Sequence, residues 1–363
     1  MSGRKRITLV AGARPNFMKI APIVHAIIKD GSMDYRLVHT GQHYDKVMSD
    51  TFFEELNIPK PDVNLGCGGG SQAEQTAKIM EAFEQDLMEN KTDLVVVVGD
   101  VTSTMACTIA AKKIHVDVAH VEAGIRSYDM TMPEEVNRMV TDSLADYFFT
   151  TTEDAKLLLE NRNVNPSVVY FVGNVMIDTL MANYDRLRKP DFYDRMNLKQ
   201  GEYLVLTMHR PNNVDNIAHF DLMLREICEN ANGLPIVFPI HPRTAKMMTA
   251  NGLSFSNLHL VEPLGYLEFN YLVRNSKAVV TDSGGVTEET TVMGIPCMTL
   301  RDNTERPETC SVGTNELIGT DPQNIAPAMK RLMSGEWKKG GIPEKWDGHA
   351  AERIVDIIKN LVE

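Results

Sequence analysis

Apolar, β-branched runs alternate with amphipathic segments along nearly the whole chain. A first series comprises ITLVAG (7–12), YRLVHTG (35–41), LVVVVGD (94–100), VDVAHVEA (116–123), YFFTT (147–151) and VVYFVGN (168–174). A second comprises YLVLTMH (203–209), PIVFPIH (235–241), LHLVEP (258–263), AVVTDSG (278–284) and PCMTLR (296–301). Most are continuous apolar runs, the pattern of strands buried on both faces of a parallel sheet. Segments such as PNFMKIAPIVHAIIKD and SQAEQTAKIMEAFEQDLMEN lie between them and read as helices. Ser71 with Glu74 three residues on predicts a capping box. The two series predict an α/β protein of two Rossmann-like, doubly wound domains, residues 1–178 and 179–363. The hinge is expected in the polar stretch from 178 to 200. HAAERIVDIIKNLVE reads as a terminal helix, free by pattern to pack back on the first domain.

Nearly every predicted strand ends in a polar cluster: GARP, HTGQH, GDVTST, HVEAGIR, TTED, TMHRPNN, IHPRT, TDSGGVTEE, RDNTERPE. Ligands of open parallel sheets sit at the carboxyl ends of the strands. Ordinary turns need Gly, Asn and Pro there, not so many Arg, His, Asp and Glu. An interdomain active-site cleft lined by these clusters is therefore expected.

Composition narrows the class. At 363 residues the chain exceeds what one core usually supports. With 43% hydrophobic and 24% charged residues it reads as a globular domain pair. A formal net charge of -12 argues against a nucleic-acid binder. The N-terminus MSGRKRITLVAGARP reads as a first strand, not a signal peptide. No apolar run approaches a membrane span. The five cysteines are scattered without a CxxC, which favours a reducing cytoplasm over a disulfide framework or structural zinc.

The strand-end motifs carry the candidate chemistry. In TDSGGVTEET, Ser283, Gly284 and Gly285 open an apolar helix and suit an anion. Glu288 and Glu289 are read in its first turn, where one can take ribose hydroxyls; the plain alternative is charge matching the helix dipole. In GARPNFMK, Arg14 can grip a diphosphate, Pro15 suits a helix start and Lys19 lies about one turn on. The absence of GxGxxG and of a Walker loop disfavours nicotinamide cofactors and ATP hydrolysis. Asp100 in GDVTST is read either as a helix N-cap or as an acid/base. His209 with Arg210, and His241 with Arg243, suit phosphate or sugar. Zinc, with His39 and His43 as further candidates, lacks any metal-ligand spacing. RDNTERPE alone is equally a solvated loop.

Taken together, GARPNFMKIAP, HVEAGIRS, MPEEVNR, GNVMID, TDSGGVTEE and RDNTERPE, in this order, resemble the non-hydrolysing UDP-N-acetylglucosamine 2-epimerase family nearly end to end. The resemblance implies a GT-B arrangement, a UDP-sugar substrate and reversible inversion at C2 between UDP-GlcNAc and UDP-ManNAc. It implies elimination of UDP to a 2-acetamidoglucal and re-addition, without metal or redox cofactor, for surface polysaccharide precursors. By motif, Asp100, Glu122 and Glu134 match the acid/base carboxylates, and Arg138 and His209 match catalytic positions. Arg14, Lys19, His241, Ser283, Gly284, Gly285 and Glu289 match substrate-binding positions, with Glu289 on the ribose. Gln42 and His43 match an allosteric substrate site. A homodimer is expected from the family alone.

The chain departs from the family's pattern in two places. The residue after Pro15 is not acidic, and MPEE lacks the aromatic many members carry before it. GARP followed by a bulky residue also resembles relatives acting on UDP-2,3-diacetamido-2,3-dideoxyglucuronic acid. The substituents at C3 and C6 are thus open, and the segment between Arg126 and Asp129 is expected to read them. Arg138 is expected on the Glu134 face of its helix, with Glu135 turned elsewhere as a structural residue. The rivals are a glycosyltransferase of the same fold, a hydrolysing epimerase and a nucleotide-sugar sensor; the three carboxylates favour the epimerase.

Overall fold

The computed structural model describes residues 4–42 and 53–361. It divides into two units, residues 1–182 with 344–363, and residues 183–343. In the first unit, the described strands are β1 (Lys5–Ala11), β2 (Met33–His39), β3 (Val63–Asn64), β4 (Leu94–Val98), β5 (Asp117–Val121), β6 (Tyr147–Thr150) and β7 (Val169–Phe171). They pair in parallel in the order β3-β2-β1-β4-β5-β6-β7. The second unit has β8 (Leu204–Thr207), β9 (Ile236–Pro239), β10 (Leu258–Val261), β11 (Ala278–Thr281), β12 (Cys297–Thr299) and β13 (Asn315–Leu317). Their order is β10-β9-β8-β11-β12-β13, again parallel.

All eleven apolar runs form strands, each stopping short of its polar end. β4, LVVVV, is buried at every position because helices cover both faces of a parallel sheet. The short β3 and β13 carry no run long enough to be read. Ser71 caps the helix Gln72–Glu89 and Glu74 returns to the Ser71 N–H, the capping box its spacing predicts. In each sheet the strand order reverses beside the first strand, between β1 and β4 and between β8 and β11. Such a reversal splays the connecting loops apart and leaves a crevice at the carboxyl ends.

The terminal segment returns to the first unit. Asp178 accepts the N–H groups of Ala350 (3.1 Å) and Ala351 (2.6 Å), which start the helix Ala350–Leu361. Trp346 donates to the Thr151 carbonyl at 3.2 Å and Lys345 to Phe171 at 2.9 Å. Along the helix, Glu352 pairs with Lys29 and Lys359 with Asp30. Gly173 has φ +99°, and a β-carbon there would lie 2.1 Å from the Lys345 carbonyl oxygen. Much of the GNVMID motif is thus explained by seating the tail: Gly173 makes room, Asn174 accepts the Met176 N–H and Asp178 caps the helix.

Candidate active site

In the first unit the site is built on the turns after β1, β4 and β5. Asn16, in the first turn of the helix Arg14–Asp30, accepts the N–H groups of Gly12 (3.1 Å) and Ala13 (3.0 Å). Its amide donates to the Val98 carbonyl at 3.0 Å. The residue after Pro15 is thus a buried tie between the β1 and β4 turns. Arg14 opens that helix, with Pro15 beside it as the sequence predicts. One turn on, Lys19 donates to Glu122 in a close ion pair; their side chains are 12% and 2% exposed. Glu122 itself has φ +72°, an unfavourable conformation for a residue with a β-carbon. Its N–H donates to the Phe149 carbonyl at 3.0 Å, which helps hold it there. Gly99 leaves room for the pair, since a β-carbon at its position would lie 2.9 Å from Lys19 Nζ and 3.2 Å from Glu122 Oε2.

Asp100 has a different partner. Arg138 donates to Asp100 Oδ2 from Nε (3.0 Å) and Nη2 (2.5 Å), and from Nη1 to Glu135 Oε2 (2.8 Å). Asn137 donates to the Asp100 carbonyl at 2.8 Å. The helix Thr102–Lys113 has Val101 at its N-cap with no side-chain cap. The capping role considered for Asp100 is therefore not the one it plays. Both Glu134 and Glu135 lie within reach of Arg138 along the helix, four and three residues before it; the ion pair is with Glu135, and Glu134 is half-buried. Glu135 is structural as expected, but it faces Arg138 and is not turned away. It also accepts from Ser127 N (2.9 Å), Ser127 Oγ (3.1 Å) and Tyr128 N (3.1 Å). Burial would raise the Glu135 carboxyl, yet these donors and Arg138 hold it below the usual value.

The unassigned charges of this stretch have partners too. Arg126 donates to Asp142 Oδ2 at 2.6 Å. Asp129 accepts from Thr131 N (3.0 Å) and Oγ1 (2.6 Å), shaping the turn before the helix Pro133–Leu144. Tyr128 stays 69% exposed at the loop tip. Gln42 accepts from Ser103 N (3.0 Å) and Oγ (2.7 Å) at the start of the helix after Asp100. His43 lies outside the described residues. His39 is buried, its Nδ1 is 3.1 Å from the Ala11 carbonyl and its ring lies edge-on to Phe17. Among the described residues no group of His, Cys, Asp and Glu is arranged to hold a metal.

In the second unit the centre is Asp282, fully buried at the end of β11. It accepts the N–H groups of His209 (3.0 Å) and Arg210 (2.9 Å) and the Asn213 amide (3.1 Å). His209 Nδ1 lies 2.8 Å from Asp282 Oδ1, and the His209 side chain is 61% exposed. Burial would raise the Asp282 carboxyl, but His209, Arg210 and Asn213 bring it below the ordinary range. Sequence reasoning passed over Asp282. Its signal is a carboxylate directly after a strand paired with β8, whose end carries His209.

Ser283 is the N-cap of the helix Gly284–Met293, and Gly284 and Gly285 open it. Glu288 and Glu289 lie beyond its first turn, so neither matches the dipole as the plain reading supposed. Both are buried. Glu288 pairs with Arg306 at 2.5 Å, while Glu289 accepts from Asn270 at 3.2 Å. Burial and the neighbouring Glu289 push the Tyr266 hydroxyl well above its usual pKa. His241 caps its own helix, its Nδ1 accepting the Arg243 N–H at 3.3 Å. RDNTERPE is not a solvated loop: Arg301 and Arg306 are 4% and 5% exposed. Arg301 Nη1 has no hydrogen-bond partner among the described residues and lies 3.8 Å from where a Gly284 β-carbon would be. Arg301 Nη2 donates to Glu305 at 2.7 Å, and the other Glu305 oxygen would lie 2.7 Å from that β-carbon, so a carboxylate already stands beside this helix start; a buried N–H left without an acceptor there suits an anion.

Among the described residues no helix is long and apolar enough to cross a membrane. A sequence model of the family described as UDP-N-acetylglucosamine 2-epimerase matches residues 25–359. A UDP-N-acetylglucosamine 2-epimerase of Methanocaldococcus jannaschii is 38% identical, covering 97% of this chain and 98% of its own. A UDP-2,3-diacetamido-2,3-dideoxy-D-glucuronate 2-epimerase of Pseudomonas aeruginosa is 36% identical, covering 98% of this chain and 100% of its own. The crystal structure of the M. jannaschii enzyme in complex with UDP-GlcNAc and UDP aligns with a TM-score of 0.86 at 38% identity, over 98% of this chain and 99% of that one. With its two parallel-sheet domains and an end-to-end match to these enzymes, the chain belongs to the UDP-N-acetylglucosamine 2-epimerase family.

Proposed function

We propose that the protein interconverts UDP-GlcNAc and UDP-ManNAc at C2, through elimination of UDP to a 2-acetamidoglucal and re-addition. The observation that carries this reading is the pair Asp100 and Glu122. They end neighbouring strands, yet one is held by Arg138 and the other by Lys19. Inversion needs one group to remove the weakly acidic C2 proton and another to return a proton to the opposite face. Carboxylates in separate electrostatic settings suit two such roles. Glu134, half-buried on the adjoining helix, is the third acid/base candidate.

UDP leaves with growing negative charge. The start of the helix Gly284–Met293, Ser283, Arg301 and the Asp282-anchored His209 are the groups we assign to it, as preorganised dipoles and cations lower the cost of that charge. Glu289 is assigned to the ribose, and Arg14, Lys19 and His241 to the remaining substrate contacts. Gln42, through Ser103, is assigned to a regulatory substrate contact. We place the activity in surface polysaccharide precursor synthesis, in a cytoplasmic homodimer.

The relationship to the P. aeruginosa enzyme favours one second reading, a 2-epimerase of UDP-2,3-diacetamido-2,3-dideoxy-D-glucuronate. In that case residues 126–129, with the exposed Tyr128, read the C3 and C6 substituents. Incubation in D2O with each substrate, followed at C2 by proton NMR, separates the two. Deuterium at C2 of UDP-GlcNAc with appearance of UDP-ManNAc supports the first. Exchange only in the diacetamido uronate moves the assignment to the second, and exchange in neither overturns both.

A further inference from the structure

His120 lies on β5, two residues before Glu122, and is fully buried. Its Nδ1 is 2.7 Å from Asp142 Oδ1, and its Nε2 is 2.8 Å from the Gly99 carbonyl oxygen. Both neighbours are acceptors. A neutral imidazole has one N–H and one lone pair, so it can satisfy only one of them and sets a lone pair against the other. Asp142 Oδ2 already accepts from Arg126 at 2.6 Å and from the Gly124 N–H at 3.1 Å. That environment favours the carboxylate anion, which cannot supply the missing proton.

We infer that His120 is a fixed imidazolium that donates to Asp142 and to the Gly99 carbonyl at once, and is a positioning residue for Asp100 and Glu122. The ring joins three elements: β5, the turn after β4 and the helix Pro133–Leu144. The charged groups around it are Asp142 on that helix, Arg126 after β5 and, beyond Gly99, Lys19 and Glu122. Gly99 is the residue against which Lys19 and Glu122 pack, and it leads directly into Asp100. Holding its carbonyl therefore fixes both carboxylates by one contact. A charged donor suits this better than a neutral one, because charge-assisted bonds are shorter and stronger. Loss of the proton would release one side of the clamp. The protonation state stands apart from any substrate; the kinetic consequence rests on the proposed epimerase reaction.

The test uses the full chain with 15N-labelled histidine and long-range proton–nitrogen correlation spectra at about pH 8, where an ordinary histidine is neutral. One histidine is expected to keep two protonated ring nitrogens there. That signal should persist in His209→Asn and vanish in His120→Gln. If no histidine keeps both protons, or if the signal belongs to His209, the inference is overturned. Absence of any doubly protonated histidine in the wild type, or loss of the signal in His209→Asn, overturns the inference even where His120→Gln does not fold. In a folded His120→Gln, kcat is expected to fall roughly 10²-fold with KM changed little, the scale of a small misplacement of reacting groups. A rise in KM at unchanged kcat would overturn the positioning role. An imidazolium in a wild-type protein that epimerises neither substrate would support the clamp and remove the epimerase reading.

Discussion

Arg138 donates two hydrogen bonds to one oxygen of Asp100 and a third to Glu135. The same guanidinium thus orients a proposed acid/base carboxylate and anchors the acid that holds residues 127 and 128. Lysine keeps the charge but cannot reproduce the planar fork. Arg138→Lys is expected to lower kcat at least about tenfold, with a smaller change in KM. Unaltered kcat in a folded variant would show that Asp100 needs no such orientation.

Removing the carboxylates one at a time addresses the chemistry. Asp100→Asn, Glu122→Gln and Glu134→Gln are each expected to slow deuterium exchange at C2 by roughly 10²- to 10⁴-fold while the chain still folds. Glu122→Gln should also lower the melting temperature, since it removes one charge of the buried Lys19–Glu122 ion pair. Near-normal exchange in all three would remove the proposed mechanism.

Asp178 links pH to stability. Burial pushes its carboxyl up to about 6, against the pull of the Ala350 and Ala351 N–H groups. In the unfolded chain the same group ionises near pH 4. Between these values the folded protein holds a proton that the unfolded chain has released. Stability from this group is therefore full below about pH 4 and lost as pH rises through about 6. A shift of this size corresponds to about 3 kcal/mol at most. Urea midpoints from pH 4 to 7 should fall less steeply for Asp178→Asn than for the wild type. Superimposable profiles would refute the linkage.

Gly173→Ala places a methyl where only 2.1 Å separates it from the Lys345 carbonyl oxygen, at a backbone φ of +99°. The tail must move or the turn must strain, at a cost of about 1–3 kcal/mol. Proteolysis at the terminal segment should rise and the urea midpoint should drop. An unchanged midpoint would mean that the tail is not held through this turn.

Most of the epimerase-like motifs were readable because they are polar clusters at the end of an apolar run. What they could not reveal is which charge meets which. Glu134 and Glu135 look equivalent in MPEEVNR, four and three residues before Arg138 and both within its reach on the helix; the pairing with Glu135 goes with Asp100 on one side of Arg138 and the Ser127 and Tyr128 N–H groups on Glu135. Asp282 was inconspicuous in TDSGG because its partners, His209 and Asn213, come from another strand end more than sixty positions away. Arg301 and Arg306 looked solvated because a charged loop carries no local mark of burial.

The alternation of apolar runs and amphipathic segments by itself determined the two parallel α/β domains, since burial on both sheet faces leaves a local periodic imprint. It also placed the chemistry at strand ends, where backbone must leave the sheet. Only the tertiary structure decided the pairings Lys19–Glu122, Arg138–Asp100 and His120–Asp142, and the return of residues 344–361 to the first unit. Each of these depends on side chains far apart in the chain converging on one point, and no local pattern encodes that convergence.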